Sequence, residues 1–107
     1  MIMHASIPVE NGNAAAESEK LGSTIQQILA DLKPEAAYFT ADDDGRRSAF
    51  VVFDMQSTSQ IPAIAEPWFL AFNASITIRP AMTAQDLAEG LPGMQKAVKA
   101  YGKAAGR

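Results

Sequence analysis

Few residues in this chain belong to types that do chemistry. His4, the only histidine, lies in the apolar run Ile2-Met3-His4-Ala5-Ser6-Ile7, and histidine is the residue type suited to moving protons near neutral pH. Arg79 closes the alternating run Ile76-Thr77-Ile78-Arg79. An arginine beside a histidine can bind or polarise an anionic oxygen, with Tyr38 or Ser6 adding a hydrogen bond; the bland alternative is a histidine at the sheet edge and an arginine paired with a carboxylate. Trp68, Phe69 and Phe72 recur at helical spacing. They suit either the wall of an apolar pocket or a plain core role. No cysteine occurs, so thiol chemistry, zinc–thiolate sites and disulfides are excluded. Asp42-Asp43-Asp44-Gly45 has the look of a calcium loop, but an EF-hand places glutamate six residues after its glycine, and Val51 stands there. The sequence is read as binding no metal and no cofactor, since it contains no phosphate loop, nucleophile elbow or His-Glu metal motif.

The elements that position these residues follow from hydrophobic period. Residues 2 to 9 read as a strand ending near Pro8, followed by a polar loop from Glu10 to Asn13. From Ala14 the period changes: Leu21, Ile25, Ile28, Leu29 and Leu32 form one stripe of a helix that Pro34 stops. Ala36 to Ala41 and Ser48 to Met55 are strands joined by the Asp-Gly turn. Ser57, Thr58 and Ser59 offer N-caps to a second helix carrying Ile61, Ile64, Ala65, Trp68, Phe69 and Phe72, which Pro67 should bend or end. Residues 74 to 79 alternate as a fourth strand closed by Pro80. A last helical segment starts at Thr83, with Asp86 three residues on as an imperfect capping box. Gly90, Pro92 and Gly93 are expected to interrupt it, leaving Met94 to Tyr101 as separate helical turns.

That order, βαββαβ plus a helical tail, predicts an α+β ferredoxin-like domain: a four-stranded antiparallel sheet in the order 4, 1, 3, 2 with helices on one face. One domain spans residues 1–107, with 96–107 a basic helix end and tail carrying Lys96, Lys99, Lys103 and Arg107. Strand alternation places Met3, Ala5, Ile7, Phe39, Val51, Phe53, Met55, Ile76 and Ile78 against the helices. The other face receives Ile2, His4, Ser6, Tyr38, Thr40, Phe50, Val52, Asp54, Ser75, Thr77 and Arg79. Ile2, Tyr38, Phe50 and Val52 would leave an apolar patch in water, at roughly 25 cal/mol per Å². A second copy packed sheet to sheet is the expected cover; the other cover is the chain's own C-terminal segment.

The early first strand, the Asp-Gly hairpin, the aromatic helix Ile61 to Phe72 and the closing strand Ile76-Thr77-Ile78-Arg79-Pro80 resemble the dimeric α/β-barrel superfamily. The resemblance covers nearly the whole chain as a pattern of elements. It implies two ferredoxin-like subunits forming one barrel, as in small cofactor-independent monooxygenases, haem-degrading enzymes, lactone isomerases and stress-responsive proteins. Haem-degrading members use an axial histidine from a helix, whereas His4 lies on a strand, which argues against haem.

Nine basic residues face twelve acidic ones, a net charge of -3, which disfavours nucleic acid and anionic lipid as partners. The first nine residues read as neither signal peptide nor membrane anchor, and a cysteine-free chain suits the cytoplasm. The expectation is a homodimer that binds a small apolar or aromatic metabolite through His4, Tyr38, Trp68, Phe72 and Arg79, without assigned catalysis. The alternative is a cofactor-independent oxygenase or isomerase using His4, Tyr38 and Arg79. A third reading, an RNA-binding sheet with Phe50 as stacking platform, lacks the basic rim such a surface needs.

Overall fold

A computed structural model describes residues 1–103; of the basic helix end and tail, residues 104–107, with Arg107, lie outside the described residues. The chain runs β1 (Ile2–Ile7), α1 (Val9–Glu17), α2 (Leu21–Leu32), β2 (Ala36–Ala41), β3 (Arg47–Val52), α3 (Ile61–Phe72), β4 (Ser75–Arg79) and α4 (Ala84–Tyr101). All strand pairs are antiparallel, and the sheet order β2-β3-β1-β4 is the expected order read from the opposite edge. The architecture is α+β, an open four-stranded sheet with helices, and is compatible with a ferredoxin-like arrangement.

Strand parity divides the sheet as the sequence pattern requires. Met3, Ala5, Ile7, Ala49 and Val51 are buried on one face and join Phe53, Ile28, Trp68 and Phe72 in a single core, with Ile76, Ile78 and Met55 packed around it. Phe39 shares this face by register but is 54% exposed. It corrects the expectation of a core residue, because β2 is an edge strand whose outer flank no helix covers.

Three helical expectations are also corrected. The segment Glu10 to Asn13 is no loop: α1 begins at Val9 directly after Pro8, with Glu10 in its first turn, where a carboxylate favours the helix dipole. Gly12 lies against the end of the Arg47 side chain, which stands 2.6 Å from where a Cβ would be, and the Arg47 guanidinium donates to Asn13 Oδ1 at 3.1 Å. The single helix expected from Ala14 is two, separated where Glu19 takes a left-handed φ of 62°.

In α3, Pro67 does not end the helix, which runs on to a left-handed Asn73 cap. Ser57 caps the preceding 3₁₀ turn in a reciprocal box with Gln60. β3 stops at Val52 rather than Met55, although Phe53 continues the ladder by exchanging hydrogen bonds with Met1.

The largest correction concerns α4. Gly90, Pro92 and Gly93 do not divide it; one helix of 18 residues starts from the expected Thr83–Asp86 capping box. Every residue from 81 to 101 is exposed, and the extents of 64 × 29 × 22 Å record how far the molecule departs from a sphere. Among the described residues, the C-terminal segment does not wrap over its own sheet.

Candidate functional site

Register arranges the open face of the sheet in rows. Thr40, Ser48, Ser6 and Ser75 form a hydroxyl row; Tyr38, Phe50, His4 and Thr77 form an aromatic one; Ala36, Val52, Ile2 and Arg79 form the third. His4, on a central strand, stacks on Phe50 with ring centroids 4.6 Å apart and planes 12° from parallel. Its Nε2 is buried with no hydrogen-bond partner among the described residues. His4 and Arg79 line a common groove of about 160 Å³ with Ile2, Phe50 and Thr77. Tyr38 lies one strand farther out, opposite Phe50 and 66% exposed.

Ser6 is committed elsewhere. Its hydroxyl donates to Asp42 Oδ2 at 2.6 Å, while Asp42 Oδ1 accepts from the backbone amides of Asp44 and Arg46. The Ser6 hydroxyl, and after it the Arg46 amide, hold the Asp42 carboxyl below its ordinary pKa. The aspartate run is thus the turn the sequence implied, with Gly45 supplying the positive φ of 75°. Its first aspartate also anchors the hydroxyl row.

A second concavity lies on the helix side, between α2 and the β2–β3 edge. This cleft of about 290 Å³ is lined by Leu21, Ile25, Phe39, Ala49 and Trp68 among others, with Arg47 its charged member. Trp68 is fully buried and its indole Nε1 finds no hydrogen-bond partner among the described residues. An unpaired buried donor carries a penalty of roughly 1–3 kcal/mol.

Of the residues singled out from sequence, His4 and Arg79 come together and Tyr38 joins their face. Trp68 and Phe72 lie beneath the sheet, their rings 6.1 Å apart, so the five do not form one site. Phe72 is a core residue, 1% exposed. The cleft residues Gly22 and Arg47 had no signal in the sequence, whereas Phe39 was marked by strand alternation as facing the helices. Leu21 and Ile25 were marked as members of the first helix's apolar stripe. Among the described residues no group of three or more His, Asp or Glu is placed to hold a metal ion, and no helix is long and apolar enough to cross a membrane. Comparison with protein-family models, curated proteins and solved structures finds no match to the chain.

Proposed function

We propose that this protein binds a small, largely apolar or aromatic molecule in the cleft between α2 and the sheet, and that it works as a homodimer of ferredoxin-like subunits in the manner of the dimeric α/β barrels. A cleft of ligand size and apolar lining, walled in part by the buried Trp68, carries the ligand reading. The ligand it favours has a hydrocarbon body. The homodimer reading rests on the half-exposed aromatic row of the open face, where Phe50 is 38% and Tyr38 66% exposed. The reducing cytoplasm suits a chain with no cysteine.

Trp68 is the only tryptophan, so its emission reports directly on the cleft. Titration with 1-anilinonaphthalene-8-sulfonate, an apolar aromatic anion, is expected to quench that emission saturably. Gly22→Leu is the informative variant. Gly22 lines the cleft, and a Cβ added there meets nothing within 4 Å, so the substitution fills the site without breaking the fold. It should raise helix stability by roughly 0.5–1 kcal/mol and weaken dye affinity by roughly tenfold. Undiminished quenching in Gly22→Leu would overturn the assignment of the ligand to this cleft.

The stacked, unpaired His4 beside Arg79 supports a second reading, an enzyme without cofactor whose substrate anion rests on Arg79 while His4 moves a proton. Turnover of phenolic or lactone substrates that survives His4→Ala unchanged removes His4 from any such mechanism.

A further inference from the structure

One residue in the wall of the cleft between α2 and the sheet carries a full charge. Arg47 opens β3, and strand alternation puts it with Ala49 and Val51 on the helix side. The rest of the lining is apolar, small or hydroxyl-bearing, from Ile7 and Leu21 to Phe39 and Trp68, and includes no aspartate or glutamate. Among the described residues the Arg47 guanidinium has a neutral partner, Asn13 Oδ1 at 3.1 Å, and no carboxylate within ion-pair distance. That bond, with the side chain lying against Gly12, ties one nitrogen of the group to α1. The rest of the planar fork is left for another acceptor, and a carboxylate is the acceptor whose two oxygens match it.

We propose that the ligand of this cleft is a monocarboxylic acid with a hydrocarbon body: the body lies against Leu21, Ile25, Phe39 and Trp68, and Arg47 pairs with the carboxylate. This rests on the reading of the cleft as the ligand site and names the class of molecule it takes. A single positive charge calls for a single negative one. A second carboxylate would have no counter-charge in the lining and would lose its hydration against apolar walls, while an amine would meet the charge of Arg47 with its own. The first turn of α2, which contributes Leu21 and Gly22 to the lining, has neither an acidic residue nor a side-chain cap, so its dipole reinforces the sign that Arg47 sets. The concavity between α2 and α3 differs. It is lined by Asp31 and Asp54 with no basic residue, so of these two sites the Arg47 cleft is the one that attracts an anion. Its volume of about 290 Å³ is at the small end of the range for ligand pockets, roughly 300–1,000 Å³, and suits a body the size of a fused ring pair. Because Arg47 is exposed, the ion pair forms in contact with water and its effect on affinity is moderate.

Isothermal titration calorimetry of the full chain with 1-naphthaleneacetate and with its neutral counterpart, 1-naphthaleneacetamide, separates charge from body. Wild type is expected to bind the acid roughly tenfold more tightly than the amide at low salt. Arg47→Gln should abolish that preference, with the acid weakened about tenfold and the amide unaffected. Arg47→Lys should restore part of it, because lysine keeps the charge and lacks the fork. Arg46→Gln removes the adjacent arginine, which is not part of the lining; it controls for net charge and should bind both compounds as wild type does. Native Trp68 emission certifies the fold of each variant. Equal affinity of wild type for acid and amide, or an acid preference that survives Arg47→Gln, overturns the carboxylate assignment and leaves the cleft reading standing. Equal loss of both compounds in Arg47→Gln overturns it too, since the arginine would then serve as wall rather than as anion partner. No binding of either compound by wild type, or binding undiminished in Gly22→Leu, overturns the cleft reading itself and the carboxylate assignment with it.

Discussion

At the scale of single residues, polar side chains at the ends of strands organise the backbone and leave the aromatic groups unpaired. Asp42 illustrates the first. Its two oxygens take up the Ser6 hydroxyl and the amides of Asp44 and Arg46, which favours the ionised form and lowers its pKa. A carboxyl with a folded-state pKa below its unfolded value adds stability at pH values above the ordinary carboxylate range, and that contribution is lost as pH falls through the folded pKa. Asp42→Ala should therefore lower the urea midpoint at pH 7, with the gap to wild type closing as the pH is taken below about 4; urea melts across that range check it. A gap that stays constant with pH would assign the effect to turn geometry alone. Ser6 was legible as a residue on the open face but not as the partner of Asp42, because strand register fixes which residues share a row and gives no account of a loop side chain folding back over it. The unpaired nitrogens of His4 and Trp68 were equally invisible, since only the packed structure shows which donors lack acceptors.

At the scale of elements, hydrophobic period identified strands and the apolar helices well and failed where tertiary contact overrides local preference. Val9-Glu10-Asn11-Gly12-Asn13 has a turn-like composition, yet it opens α1, with Arg47 of β3 lying against Gly12 and hydrogen-bonding Asn13. The break after Glu17 was missed for a related reason: Glu19 and Lys33 hold left-handed backbone without the glycine that advertises it. Lys33 is the C-cap of α2, at φ 54°, with its amide donating to the Leu29 carbonyl at 2.8 Å. Left-handed backbone costs a residue with a Cβ roughly 1–2 kcal/mol. Part of that is offset by glycine's greater freedom in the unfolded chain. Lys33→Gly should thus raise stability by about 0.5–1 kcal/mol, read as an increase in thermal midpoint of several degrees in a domain of this size. A fall in midpoint would mean that the lysine side chain makes a contact worth more than the strain.

At the scale of the whole molecule, order and pairing of the strands were legible because alternation, the Asp-Gly turn and the crossover rule leave few topologies open. The course of the last third was not, since glycine and proline inside α4 mimic an interruption that the helix runs through. The outcome is a molecule in two parts. The core includes no residue beyond Ile78, whereas the radius of gyration is 18.6 Å against about 13 Å for a compact domain near this length. Ending the chain after Met82 should then leave the body folded. Cooperative unfolding and native Trp68 emission persist, the thermal midpoint at high dilution shifts by no more than a few degrees, and far-UV ellipticity drops by the share of one long helix. If two copies pair through the open sheet face, association stabilises the folded state by mass action whether or not α4 is present. The midpoint of both proteins then climbs as protein concentration rises through the dissociation constant, with the same dependence. Differential scanning calorimetry of both proteins over about a hundredfold range in concentration checks this, since dimer stabilisation grows as the logarithm of concentration. Concentration dependence lost in the shortened chain would move the interface from the open sheet face to α4. A shortened chain that no longer unfolds cooperatively would show that α4 is needed for the body to fold, contrary to its absence from the core.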